Sequence, residues 1–63
     1  MNIDIHIDCG NAAFEGNPAL ETARILRKLA DKMDSENAII GMNGDALLDV
    51  NGNRVGFIDV NAE

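Results

Sequence analysis

The chain has no tryptophan, no tyrosine and only two phenylalanines in 63 residues, so it lacks the aromatic platforms on which single-stranded bases stack. Basic residues are also scarce: five Lys and Arg stand against eleven Asp and Glu, for a formal net charge of -6. That sign is wrong for gripping phosphates, and direct DNA or RNA binding is disfavoured. A single cysteine, Cys9, rules out an internal disulfide, so the framework that stabilises very small secreted domains is missing and a reducing cytoplasm is the expected home. No run approaches the roughly 20 apolar residues that span a bilayer, and Met1-Asn2-Ile3-Asp4 carries neither a basic n-region nor an apolar h-region. A soluble, unexported protein without a membrane partner is therefore expected. The length excludes a multidomain enzyme; residues 1–63 make one domain, with a net stability of about 3–9 kcal/mol.

What is present reads as a folded α+β domain. Hydrophobic residues make up 46% and charged residues 25%, a balance far from that of disordered chains. Ile3, Ile5 and Ile7 alternate with Asp4, His6 and Asp8, which predicts a strand over 2–8 with its isoleucines on the core and its polar residues in water. Asn17-Pro18 supplies an N-cap and a first helical residue. A helix over 18–34 follows, with Ala19, Ala23, Leu26, Ala30 and Met33 as its apolar stripe, Leu29 and Thr22 beside it, and Glu21, Arg24, Arg27, Lys28, Asp31 and Lys32 on a solvated face. Asn37–Met42 reads as a loop or short strand. Apolar runs over 46–50 and 54–60 flank Asn51-Gly52-Asn53 and predict a hairpin, with a two-residue or a bulged loop. The order β-α-β-β implies a small two-layer domain, one helix packed on a three-stranded sheet, with the other face of the sheet open.

Charge divides along these elements. Within 18–34, Arg24, Arg27, Lys28 and Lys32 outnumber Glu21, Asp31 and Asp34, whereas elsewhere eight carboxylates face Arg54 alone. Alternate residues of a strand lie about 6.6–6.8 Å apart, twice the roughly 3.4 Å per-strand rise of duplex DNA, so a carboxylate-studded sheet can imitate a run of phosphates. Asp4, Asp8, Asp49 and Asp59, with Glu36 and Asp45 nearby, form the candidate acidic surface. Plain solubilisation is the competing reading of the same charges. A second candidate surface is apolar: Leu20, Ile25, Ile39, Ile40 and Met42 exceed what one stripe and three strands need, and suit either a homodimer or a partner contact unless 37–45 folds back over them.

The residues offer little reaction chemistry. His6, Asp8 and Cys9 are adjacent, but one His and one Cys do not complete a zinc set. Cys9, Ser35 and Thr22 lack a partner base. Asp49-Val50-Asn51-Gly52-Asn53 resembles the start of an EF-hand loop, then fails at Arg54, where Gly is needed, and at Val60, where a bidentate Glu is needed. The glycines form neither GxGxxG nor a P-loop. No enzyme activity, metal or cofactor is expected.

Three stretches carry a resemblance: Asn11-Ala12-Ala13-Phe14-Glu15, then Ala23-Arg24-Ile25-Leu26-Arg27-Lys28-Leu29-Ala30-Asp31-Lys32, and Asp49-Val50-Asn51-Gly52-Asn53-Arg54-Val55-Gly56. In order and spacing the chain resembles a family of short, mostly uncharacterised proteins of tailed phages and prophages, departing from it in the apolar Asn37–Met42 segment. The resemblance implies a phage origin and action in the cytoplasm of a host bacterial cell, but carries no site residues. By analogy with small acidic anti-CRISPR and anti-restriction proteins, the expected function is non-enzymatic inhibition of a host defence system. The acidic surface would occupy a basic nucleic-acid-binding surface on a protein partner, a CRISPR effector subunit or nuclease. The alternative is a phage interaction module or homodimer using the helix and the 37–45 segment.

Overall fold

The computed structural model describes residues 1–36 and 40–61. Strand β1 is Asn2–Ile7, helix α1 is Pro18–Glu36, β2 is Ala46–Leu48 and β3 is Arg54–Asn61, with single turns of 3₁₀ helix at Ala12–Phe14 and Ile40–Met42. The sheet is antiparallel throughout in the order β1-β3-β2, and α1 packs against it, giving the expected two-layer α+β domain. The helix begins at Pro18, where the fixed φ of proline suits a first turn whose N–H groups have no partner, and the Leu20 amide donates to the Asn17 carbonyl. It runs two residues past the expected end.

The register of β1 on β3 sets both faces of the sheet. Ile3 faces Val60, Ile5 faces Ile58 and Ile7 faces Gly56, while Asp4 faces Asp59 and His6 faces Phe57. The first set shares the helix side and the second lies on the open side, because facing residues of an antiparallel pair project together. The Asp8 amide donates to the Val55 carbonyl at 2.7 Å, continuing the same register. Hydrogen-bonded pairs alternate along such a ladder, so Asn2, Asp4 and His6 also bond to β3. The amides and carbonyls of Ile3, Ile5 and Ile7 point to the free edge. From the other side of β3, the Gly44 amide donates to the Ile58 carbonyl and the Ile58 amide to the Asp45 carbonyl, as this alternation requires.

The core comprises Phe14, Ile25, Leu29, Met42, Leu47, Val55, Ile58 and Val60. It lies under the β2–β3 half of the sheet, and Met42 from the 3₁₀ turn fills it. Expected and observed packing differ in two places. The buried stripe of α1 is Glu21, Ile25 and Leu29, about 120° round from the expected one, with Ala19, Leu26 and Ala30 exposed. Burying a branched side chain and a leucine removes more apolar area from water than burying alanines, and Glu21 enters the interior because Arg24 accompanies it. Ile3 and Ile5 face the helix side but remain 43% exposed, because α1 sits over β2 and leaves β1 uncovered. The Cα radius of gyration, 12.1 Å, exceeds the about 10.6 Å of a compact chain of this length.

The hairpin is bulged, one of the two forms expected, but Leu47 does not align with Val55 as a bulged loop predicts, nor do Leu48 and Val50 lie beside Val55 and Phe57 as a two-residue loop predicts. Leu47 faces Gly56 but Leu48 faces Arg54, a β-bulge that leaves Val55 unpaired with β2. Its loop runs over five residues, 49–53, closed by the Asp49 amide on the Asn53 carbonyl and the Gly52 amide on the Asp49 carbonyl, with Gly52 at φ 83°.

Candidate functional site

The six carboxylates expected to form one acidic surface are divided by the fold. Asp4 and Asp59 stand directly opposite each other on the open face, both exposed, and neither is paired with a cation among the described residues. Asp8 follows on the same side of β1; its Oδ1 accepts from the Gly10 amide at 2.9 Å. His6 stacks on Phe57 between them, with ring centroids 5.4 Å apart, and Arg54 lines the same shallow depression as His6 and Asp8.

The remaining three lie elsewhere. Asp45 pairs with Lys32 at 2.6 Å. Glu36, exposed at the end of α1, lies close enough to help raise the Lys32 pKa; the Asp45 hydrogen bond is the main cause. Asp49 is only 4% exposed and belongs to the interior. Its Oδ1 accepts from the Asn51 and Asn53 amides at 2.9 and 2.8 Å, and its Oδ2 from the side chains of Asn11 and Asn53 at 2.8 and 3.2 Å. A carboxylate has about four acceptor sites, and here all are filled by the protein. The EF-hand-like spacing of Asp49, Asn51 and Asn53 thus organises a turn.

Asp49 is one half of a polar lock between hairpin and helix; Glu21 is the other. The Glu21 carboxylate accepts from Arg24 Nε and Nη2 at 2.8 and 3.0 Å and from the Val50 amide at 2.8 Å, while Arg24 Nη2 also donates to the Leu48 carbonyl at 3.2 Å. Arg24, and after it the Val50 amide, hold Glu21 below its ordinary value of 4.5 against the opposing effect of burial. Burial pushes Asp49 up most, yet the Asn53 amide, the Asn11 and Asn53 side chains and the Asn51 amide together outweigh it and keep its pKa below 3.8. Asn11 completes the lock: its Oδ1 accepts from the Ala13 amide at 3.0 Å while its Nδ2 reaches Asp49. Asn11, the Glu21–Arg24 pair and the 49–53 loop, distant in sequence, therefore meet here, and these polar residues fasten the fold. Glu21 and Asn11 were not singled out from the sequence. For Glu21 the readable signal was its position four and eight residues before Ile25 and Leu29, on one helix stripe.

The apolar candidates also divide. Ile25 and Met42, 3% and 1% exposed, are core residues, whereas Leu20 is 69% exposed. Ile39 lies outside the described residues, and Ile40 opens the second 3₁₀ turn. A groove of about 520 Å³ between α1 and β2 is lined by Ile25, Leu29, Leu47 and Leu48 and by the charged side chains of Lys28, Asp31, Lys32 and Asp45. Among the described residues, no three or more His, Cys, Asp or Glu side chains gather where they would hold a metal ion, and no helix is long and apolar enough to cross a membrane. Neither a protein-family model, nor a curated protein, nor a solved structure matches the chain.

Proposed function

We propose that this chain is a phage-encoded, non-enzymatic inhibitor of a host defence system, and that the open face of its sheet occupies a basic nucleic-acid-binding site on a nuclease or CRISPR effector. The observation that carries the reading is the Asp4–Asp59 pair. Like charges directly opposite on neighbouring strands destabilise a sheet, and a domain with so small a core has little stability to spare. Nothing in the described fold compensates this repulsion, whereas a lysine or arginine of a partner would. Asp8 extends the same face, and complementary charge of this kind accelerates encounter with a basic site.

The test is capture from lysates of bacteria carrying CRISPR and restriction systems, comparing the natural chain with an Asp4→Asn, Asp8→Asn, Asp59→Asn variant. Asp49 stays in place because the fold uses it. The natural chain should retain a nuclease or effector subunit and block its cleavage of target DNA. The variant should lose about tenfold or more in retention, and binding should weaken as salt shortens the screening length. Equal retention by both chains would remove the mimic reading. The groove between α1 and β2 favours a second reading, an interaction module that takes an apolar segment there; in that case Leu48→Asp abolishes capture and the carboxylate changes do not.

A further inference from the structure

We propose that β1 pairs with β1 of a second copy across a two-fold axis, antiparallel, with Ile5 opposite Ile5 and Asp4 opposite the second copy's His6. This joins two three-stranded sheets into one of six strands. Three observations converge on that edge. β1 is a terminal strand of the sheet, exposed along Asn2–His6. The ladder alternation turns the amides and carbonyls of Ile3, Ile5 and Ile7 outward, where no described residue bonds them. An unprotected edge of this kind is a template for another strand. Ile3 and Ile5 are 43% exposed on the helix side, where the second copy's isoleucines would cover them.

The side chains select both the occupant and the register. Outward-bonding residues must face one another, so Ile3, Ile5 and Ile7 can pair only among themselves. If Ile3 faced Ile5, Asp4 would face Asp4; if Ile5 faced Ile7, His6 would face His6 and Asp4 would face Asp8. If Ile3 or Ile7 faced itself, the paired length within Asn2–Ile7 would shrink to a few residues. With Ile5 on the axis, Ile3 faces Ile7, Asn2 faces Asp8, and Asp4 faces His6 twice, each carboxylate opposite an imidazole N–H donor. A second copy of β1 is self-complementary in this register alone, as an isologous contact must be. Both helices then lie on one side of the joined sheet, flanking the isoleucines.

The experiment combines sedimentation with cross-linking of the full chain. Sedimentation from about 1 μM to about 1 mM spans the affinities of small interfaces and should show a monomer passing to a dimer. In a Cys9→Ser background, Ile5→Cys should oxidise to a covalent dimer, since facing Cα atoms of a hydrogen-bonded pair lie about 5.5 Å apart, within disulfide reach. Ile3→Cys should not, because its twin lies about 13 Å or more away. Asp4→His or His6→Asp alone should weaken dimerisation about tenfold, and the double exchange should restore it. Far-UV circular dichroism confirms folding; the double exchange keeps the composition, so its rescue separates pairing from folding. A monomer at every concentration, a cross-link at position 3 but not 5, or a dimer indifferent to the single exchanges would overturn the proposal. The readouts are mass and cross-link, so the result stands apart from that of the acidic-face capture.

Discussion

Gly56 shows how one residue fixes the sheet. A Cβ there would overlap the His6 carbonyl and lie 3.1 Å from the Ile7 Cα, both backbone atoms, so no side-chain rotation relieves it. The close approach lets β1 seat against β3 beside the bulge at Val55. Gly56→Ala should therefore lose about 1–3 kcal/mol, a large share of the about 3–9 kcal/mol expected for this length, whereas Gly41→Ala, with open space around the new methyl, should stay within about 0.5 kcal/mol. Urea denaturation of both variants checks this; equal midpoints would mean that the β1–β3 contact can yield. Ile58, fully buried opposite Ile5 on the central strand, shows the complementary principle: at that position the sheet needs the side chain that Gly56 must lack.

At the scale of elements, hairpin and helix share an apolar core and are fastened by polar bonds as well. Asp49, saturated by four donors, ties the loop to Asn11, and Glu21 ties it to α1 through the Val50 amide. Asp49→Asn leaves a side chain with one acceptor oxygen and two donors, which cannot serve all four. Hydrogen exchange of the Asn51 and Asn53 amides should accelerate strongly while that of the His6 amide, bonded to β3, changes little; uniform acceleration would instead mean that the loop and sheet open as one unit. The strands, the helix start at Pro18 and the hairpin were legible because alternation, a proline and Asn-Gly are local signals. The helix face was not, because Glu21 disguises the stripe it shares with Ile25 and Leu29. Nor was the division of the acidic residues. Asp45 finds Lys32 and Asp49 finds Asn11 only through contacts distant in sequence. Asp4 and Asp59, 55 positions apart, become neighbours solely through the β1–β3 register.

For the molecule as a whole, these placements separate the carboxylates that the fold uses from those it tolerates, and pH reports on the first group. Glu21 and Asp49 both have lowered pKa values in the folded chain. In the unfolded chain they return to about their ordinary values, so on acidification the unfolded state takes up protons first and stability falls. Their contribution is complete above about pH 5 and is lost as pH drops below 4.5 for Glu21 and 3.8 for Asp49, through their lower folded values. Lys32, raised by Asp45, acts in the opposite sense: its contribution is present below 10.5 and disappears as pH rises through the higher folded value. The melting midpoint should therefore hold near neutrality and fall on acidification below about pH 4.5. Glu21→Gln should start lower at pH 7 and decline less steeply, because glutamine has no proton to take up. Asp4→Asn, which removes one of two like charges directly opposite on neighbouring strands, should start higher at pH 7. Thermal unfolding of the three chains at pH 7, continued to pH 3 for the natural chain and Glu21→Gln, measures the starting points and the slope. A Glu21→Gln curve parallel to that of the natural chain would show that the helix–hairpin lock does not govern acid stability.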